Sequence, residues 1–431
     1  MKQLKNEELR WVQINFNSLF LFFLTGICTG LVITFYKVGI DKFAKLVTGF
    51  LKNYGSSPMG KIIFISAFFI MASIIYFFTK VDPNIKGSGI PIIFGVLDKK
   101  FNVDWKKTLP MKFFTSIVTV GSGLTLGREG PSVQMGGLVG QAVHQIGKSV
   151  EERRVFVGAS SGAGFAVAFN APLSGIMFAV EEIYKKTNRK IFLSSSVTVF
   201  SAIIISNMFL GNHPTLENIP KIKALGLSAY SHIFFLGLLT GLSGVLYNKV
   251  IIGGKKYGEK IKINPFVKFV IPFLVTAIFL LMDINLFGSG EHFIFYPLSQ
   301  NTEPLRLIYY YFMKLFLLAI IFAVGCPGGS LVPLLAMGSL VGNIYGSILA
   351  GAGIITPDLI LTFSILGMCG QFSSIVRAPL TGIVLILEMT GGSFDYLLAV
   401  AIVAMLSYTL AESLHSEPFY SHLYEMMVGK N

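Results

Sequence analysis

The chain has 431 residues, a formal net charge of +13, 53% hydrophobic side chains and only 13% charged ones. A soluble domain carries about 25% charge, so this composition excludes an ordinary soluble enzyme. The basic excess does not mark a nucleic-acid binder, because the lysines sit in loops between apolar segments. Three cysteines without a CxxC pair and six histidines without ligand spacing indicate neither a disulfide framework nor a zinc site, and no metal or cofactor is implied.

In chain order, residues 1–13 do not read as a signal peptide, because the apolar segment after them is too long and no small-residue cleavage site follows it. They read either as an interfacial amphipathic helix or as a solvated start. Residues 17–35, 62–78 and 269–287 are each long enough to cross a bilayer, which takes about 20 apolar residues. The chain is therefore predicted to be an all-α, polytopic integral membrane protein. Between 109 and 182, and again between 320 and 390, the apolar segments are short or cut by Gly and Pro. Broken helices are tolerated at membrane depth only when buried in protein or lining a cavity. The last apolar span, 399–414, is followed by one short amphipathic segment, so no cytoplasmic regulatory domain is expected.

Loop Lys and Arg set orientation. The clusters Lys99, Lys100, Lys106, Lys107 and Lys112, then Arg153 and Arg154, then Lys185, Lys186, Arg189 and Lys190, are placed on the cytoplasmic side together with the N-terminus. Lys37, Lys42, Lys45 and Lys52 dilute that signal.

The chain repeats itself. NAPLSGIMFAVEE, ending at Glu182, matches RAPLTGIVLILEM, which runs from Arg377 to Met389, and GPSVQMGGLVG (130–140) matches VPLLAMGSLVG (332–342) in the same order. Two halves are expected, 14–212 and 213–431. Gly/Pro-interrupted segments in corresponding halves point to a transporter site at the repeat interface. The second match sets Glu129 against Leu331, so only one half carries a carboxylate there.

Three clusters have the form of helix starts: GSGIP (Gly87, Ser88, Gly89, Ile90, Pro91), GREGP (Gly127, Arg128, Glu129, Gly130, Pro131) and GSLVP (Gly329, Ser330, Leu331, Val332, Pro333). Glycines free the backbone, and proline is tolerated in a first turn whose N–H groups are unpaired anyway. Helix N-termini present N–H groups and about half a positive charge, so three converging starts make an anion site without a buried full charge. On that reading Arg128 is secondary. None of the runs has the spacing of a nucleotide-binding loop.

GSGIP, GREGP, a G-x-x-x-P run, NAPLSGI and RAPLTGIVLILEMT together resemble the CLC family of chloride channels and chloride/proton antiporters, in the family's order and from about residue 20 to about 425. The resemblance implies many tilted, partly broken helices in two inverted-topology repeats, one pore per subunit, and a homodimer in a lipid bilayer, a bacterial inner membrane. It implies chloride held by the Ser88 hydroxyl, the Tyr420 phenol and the backbone N–H groups of Ser330 and Leu331. The sequence departs from the family's commoner GIFAP at Ser330 and Leu331, which leaves backbone donors in place but can alter pore width. Without the resemblance, Ser88 reads as a helix cap and Tyr420 as an interfacial tyrosine.

An ionisable residue inside a membrane is costly and usually functional. Burial opposes a charge on Glu129 while surrounding N–H dipoles favour it, which suits a group that exchanges a proton. The resemblance implies that ionised Glu129 plugs the anion site and protonated Glu129 leaves it, and that Glu182 hands protons to the cytoplasm. Otherwise Glu181 and Glu182 read as interfacial charges near Lys185 and Lys186. The expected function is exchange of chloride for protons. A passive chloride channel, a fluoride exporter and an intramembrane enzyme using Glu129 as base are the alternatives.

Overall fold

The computed structural model describes residues 16–216, 219, 226, 229–299, 303–392 and 394–429; the expected amphipathic segment 1–13 lies outside them. The α-helices in order are α1 (Phe16–Tyr54), α2 (Pro58–Val81), α3 (Ile90–Leu97), α4 (Trp105–Gly121), α5 (Glu129–Ile146), α6 (Arg153–Phe169), α7 (Pro172–Phe178) and α8 (Arg189–Leu210). They continue with α9 (Tyr230–Lys260), α10 (Pro265–Met282), α11 (Pro304–Ala323), α12 (Leu331–Gly351), α13 (Ile360–Val376), α14 (Pro379–Met389), α15 (Leu397–Ser413) and α16 (Phe419–Val428). Among the described residues the β-structure is one isolated bridge, Gly127 with Gly329.

Local sequence explains the starts. Ser57, Asn188 and Asn264 accept the N–H of Gly60, Ile191 and Phe266 at the heads of α2, α8 and α10, and such caps satisfy donors that the helix cannot. Eight helical segments are long and apolar enough to cross a membrane, and the protein is a multi-pass integral membrane protein. The rim helix α2 leaves most of its surface outside the fold, whereas the last of the eight, 357–376, has 94% of its apolar window buried. A helix that is apolar all round belongs in the interior, and α5, α6, α12 and α13 form that interior, α5 against α6 and α12 against α13. Their broken ends therefore meet protein, not lipid.

The two halves touch through reciprocal contacts. Gly87 N–H donates to Gly325 O (3.1 Å), and one repeat further on Gly288 N–H donates to Gly123 O (2.8 Å). Glu181 accepts from the N–H of Leu380 and Thr381 at the start of α14, and Glu388 accepts from the N–H of Leu173 and Ser174 at the start of α7. Contacts that exchange partners in this way mark a two-fold relation. Gly127 and Gly329 are each other's counterparts and exchange both N–H···O bonds at 2.7 Å, so the pseudo-axis passes through their bridge.

One expectation is corrected. Lys112 does not belong to the loop lysines of the cytoplasmic face: it lies within α4, is fully buried, and donates to Ile85 O and Gly87 O at 2.9 and 2.7 Å. Its counterpart Lys314 in α11 donates to Leu286 O and Gly288 O, both at 2.7 Å. An ammonium in an apolar interior needs such acceptors, and each lysine pins one Gly-Ser-Gly loop.

Candidate anion site and its carboxylates

The three Gly/Pro clusters start α3, α5 and α12 at one place. The first helical bonds are Ile93 N–H to Gly89 O, Ser132 N–H to Arg128 O and Leu334 N–H to Ser330 O. Ahead of them the N–H groups of Ile90, Ile92, Glu129, Gly130, Leu331 and Val332 have no acceptor within their own helices. Pro91, Pro131 and Pro333 fall within these first turns, where a missing N–H removes no helical bond. Close approach requires the glycines. A side chain on Gly130 would start 2.8 Å from Ser88 Cβ and 3.1 Å from Gly329 Cα, and one on Gly329 would start 2.8 Å from the Gly130 backbone nitrogen. Gly87 and Gly89 also hold φ of 63° and 86°, a left-handed backbone that favours glycine.

Around this junction lie polar groups short of partners. Ser88 is 2% exposed and its Oγ has no hydrogen-bond partner among the described residues. Tyr420, fully buried at the start of α16, reaches Ser330 Oγ only at 3.4 Å, and Tyr247 reaches Ser330 O at 3.5 Å. Glu129 is 1% exposed; the backbone N–H groups of Glu129 and Val332 face its carboxylate, while Oε2 lies outside hydrogen-bonding geometry with any described donor. Buried polar atoms are nearly always satisfied, so unsatisfied donors gathered beside three helix N-termini describe a cradle for an anion.

The structure thus brings Ser88, Glu129, Ser330, Leu331 and Tyr420 together. Glu182 stands apart, on the side of the loops holding Asp98 and Lys185. It is 3% exposed, with Oε1 unpartnered. It sits in a π-helical turn, Ala179–Tyr184, that prolongs α7; such turns are rare and recur at functional sites. There Glu181 caps α14 while Glu182 stays in the interior. Lys185 closes the turn and donates to Ser421 Oγ at 2.6 Å, which ties it to the helix carrying Tyr420. Tyr420 lies near enough to feel the charge of both Glu129 and Glu182.

Arg128 is the residue that sequence reasoning undervalued. Neighbours within a helix do not face each other, but Arg128 precedes the helix as its cap. Its Nε lies 3.8 Å from Glu129 Oε1 and its Nη1 3.6 Å from Asp41 Oδ1. Lys112 was also missed as part of the site, although its ammonium holds the Gly87 carbonyl beside Ser88. The repeat offers a signal for it, since a lysine recurs at the corresponding place in α11.

Known proteins share this arrangement. The family model described as "Voltage gated chloride channel" matches residues 67–412. The H(+)/Cl(-) exchange transporter ClcA of Vibrio cholerae serotype O1 is 33% identical over 98% of this chain and 92% of its own. ClcA of Salmonella paratyphi B is 32% identical over 84% of this chain and 78% of its own. A solved slow cyanobacterial Cl−/H+ antiporter aligns with a TM-score of 0.90 and 25% identity, over 97% of this chain and 100% of that one. A CLC-type fluoride/proton antiporter aligns at 0.76 and 21%, over 93% and 98%. With its helix starts converging on a buried carboxylate and a family match over most of its length, the chain belongs to the CLC family of voltage gated chloride channels and transporters.

Proposed function

We propose that the protein is a secondary active transporter that exchanges chloride for protons, with Glu129 as gate and Glu182 as inner proton carrier. The observation that carries this reading is a carboxylate, Glu129, set among unpaired helix-start N–H groups and an unpartnered serine hydroxyl. An anion there meets only partial positive charges, so it is held without being trapped. Ionised Glu129 competes with chloride for the same donors. A proton removes its attraction to them, and the side chain then yields the place. Each return of Glu129 to the cradle releases a proton, which couples the two fluxes. Glu182 takes or gives that proton on the other side of Tyr420. The names of the ClcA relatives support this exchange over a passive pore.

Ser88 and Tyr420 would donate hydroxyls to the ion, with the N–H groups of Ser330 and Leu331 beside them. The first-turn residues Ile90, Pro91, Gly130, Pro131, Val332 and Pro333 would set the helix starts. We place the boundary between the halves at 212/213. The face carrying the loops at Asp98, Trp105, Arg153 and Lys185 is assigned to the cytoplasm of a bacterial inner membrane, in accord with its lysines and arginines. A homodimer is expected; Leu173 and Leu380, counterparts at the starts of α7 and α14, are each 53% exposed and offer it an apolar face.

The test is chloride-driven proton pumping in reconstituted liposomes, read with chloride and pH electrodes. Glu129→Gln is expected to keep chloride flux and abolish proton movement, and Glu182→Gln to stop proton movement while chloride continues. A reversal potential that ignores a pH gradient in the unmodified protein would make it a passive channel, and proton pumping untouched by both substitutions would overturn the residue roles.

A further inference from the structure

On the side of Glu129 away from the lysine-rich loops lies a cavity of about 220 Å³, lined by Asp41, Arg128, Glu129, Ser289, Glu291 and Val332 among others. Its position follows from α1. Phe22 packs against Phe156 near the Arg153 loop, with ring centroids 4.4 Å apart and planes tilted by 31°. Asp41 is more than five helical turns further on, about 28 Å at 1.5 Å per residue, close to the ~30 Å of a hydrocarbon core. The cavity therefore opens to the outer side.

Exposure falls in steps along this route: Asp41 58%, Arg128 19%, Glu129 1% for the side chains. Arg128 touches the carboxylates on either side of it. Glu291 begins the 3-10 helix Glu291–Ser299 directly after the second Gly-Ser-Gly loop, where the first half has Ile90. Its charge acts on both Arg128 and Glu129. Of the other groups facing this cluster, the Lys37 and Lys314 ammoniums are held by backbone carbonyls, and the Lys37 charge also acts on Arg128, Asp41, Glu129 and Glu291. Lys37 from α1 donates to Val167 O at 3.0 Å, and Lys314 from α11 to two loop carbonyls. Tyr36 and Tyr420 are fully buried phenols. Burial, with the Lys314 ammonium nearby, pushes the His292 imidazole down to about 4, so it is neutral over the working range.

We propose that Glu291 and Asp41 are positioning residues for the proton step: they share Arg128 with the gate and so set how readily Glu129 is protonated from outside. The inference rests on the gating role proposed above. Facing Glu129 alone, Arg128 would hold it ionised and the gate shut. Two outer carboxylates divide the guanidinium's attraction, and Glu291 also repels the gate's charge, so a proton from the outer water can neutralise Glu129. Removing the Glu291 charge should make that proton harder to bind.

Exchange is measured in right-side-out and everted membrane vesicles from an expressing strain, varying pH on one face at a time. Glu291→Gln is expected to move the external pH dependence to more acidic values by about one unit, the size of effect a nearby charge exerts. Asp41→Asn should move it the same way and less, because Asp41 is more exposed. Glu291→Asp should keep the native profile, and the internal pH dependence should be unchanged in all three. An external profile for Glu291→Gln that coincides with the native one, or equal shifts on both faces, would overturn the proposal. Glu129→Gln separates the two ideas. If it still pumps protons, the gate reading falls; if it uncouples while Glu291→Gln shifts nothing, only the present inference falls.

Discussion

Helix α5 opens with Glu129 and helix α12, its counterpart, with Leu331; the two are buried alike, 1% and 0% exposed. The π-turn after α7 carries Glu182 where α14 carries Met389, again buried alike at 3% and 2%. The first half therefore holds both proton-bearing candidates, and the second matches each with an apolar residue of similar burial. What the halves share is the framework: the helix starts, the lysine-pinned Gly-Ser-Gly loops and the glutamates that cap α7 and α14. A two-fold frame supplies N–H groups from both sides of an axis, which suits a spherical anion. A proton route needs direction, and under the proposed roles of Glu129 and Glu182 the asymmetric carboxylates would supply it.

The comparison can be broken by moving chemistry between the halves. The largest effect is expected from Leu331→Glu, which sets a second carboxylate in the cradle; chloride flux should fall by at least about a hundred-fold, because two competing anions must be protonated together. Glu182→Met, which gives the first half the residue of the second, should lower proton flux by about a hundred-fold while chloride uptake continues in the same liposomes. Lys112→Met should weaken chloride binding by about ten-fold, near 1.4 kcal/mol, in isothermal titration calorimetry. Lys314→Met removes the equivalent ammonium from the other loop and should leave that affinity nearly unchanged while lowering the melting temperature.

The smallest effects concern the caps. Glu181→Gln and Glu388→Gln each weaken carboxylate acceptance at a helix start and should cost about 1–2 kcal/mol in thermal or denaturant unfolding. The costs should be similar, because the contacts are repeat counterparts. Unequal costs would show that the two-fold frame is mechanically uneven. Only Glu181→Gln is expected to disturb proton movement as well, since it adjoins Glu182.

Much of this was legible in the sequence. Gly and Pro restrict backbone geometry so strongly that GSGIP, GREGP and GSLVP could be read as helix starts, and the repeat located their meeting place. Less legible was anything that depends on which side chain an element turns inward. Lys112 looked like one more loop lysine, because nothing local says that α4 begins at Trp105 and carries residue 112 into the interior. The Arg128 contacts were hidden because Asp41 is remote in sequence and because the cap geometry takes Arg128 outside the helix spacing rule. The resemblance singled out Glu182, but that Glu181 caps a helix of the other half while Glu182 stays buried depends on the π-turn, which no local pattern announces. The second Gly-Ser-Gly loop escaped notice because Glu291 and His292 stand where the first has Ile90 and Pro91.

The crossed caps at α7 and α14 also bear on how the molecule can move. Each glutamate takes two N–H groups and a hydroxyl from the opposite half: Glu181 from Leu380, Thr381 and the Thr381 hydroxyl, Glu388 from Leu173, Ser174 and the Ser174 hydroxyl. Rocking one half against the other would stretch both sets at once, along with the glycine bridge on the axis. The scaffold is braced like a cross-tied frame, stiff where many transporters hinge. On the gating role proposed for Glu129, such a frame favours a short working stroke, a carboxylate swinging through a few ångströms while the crossed caps hold.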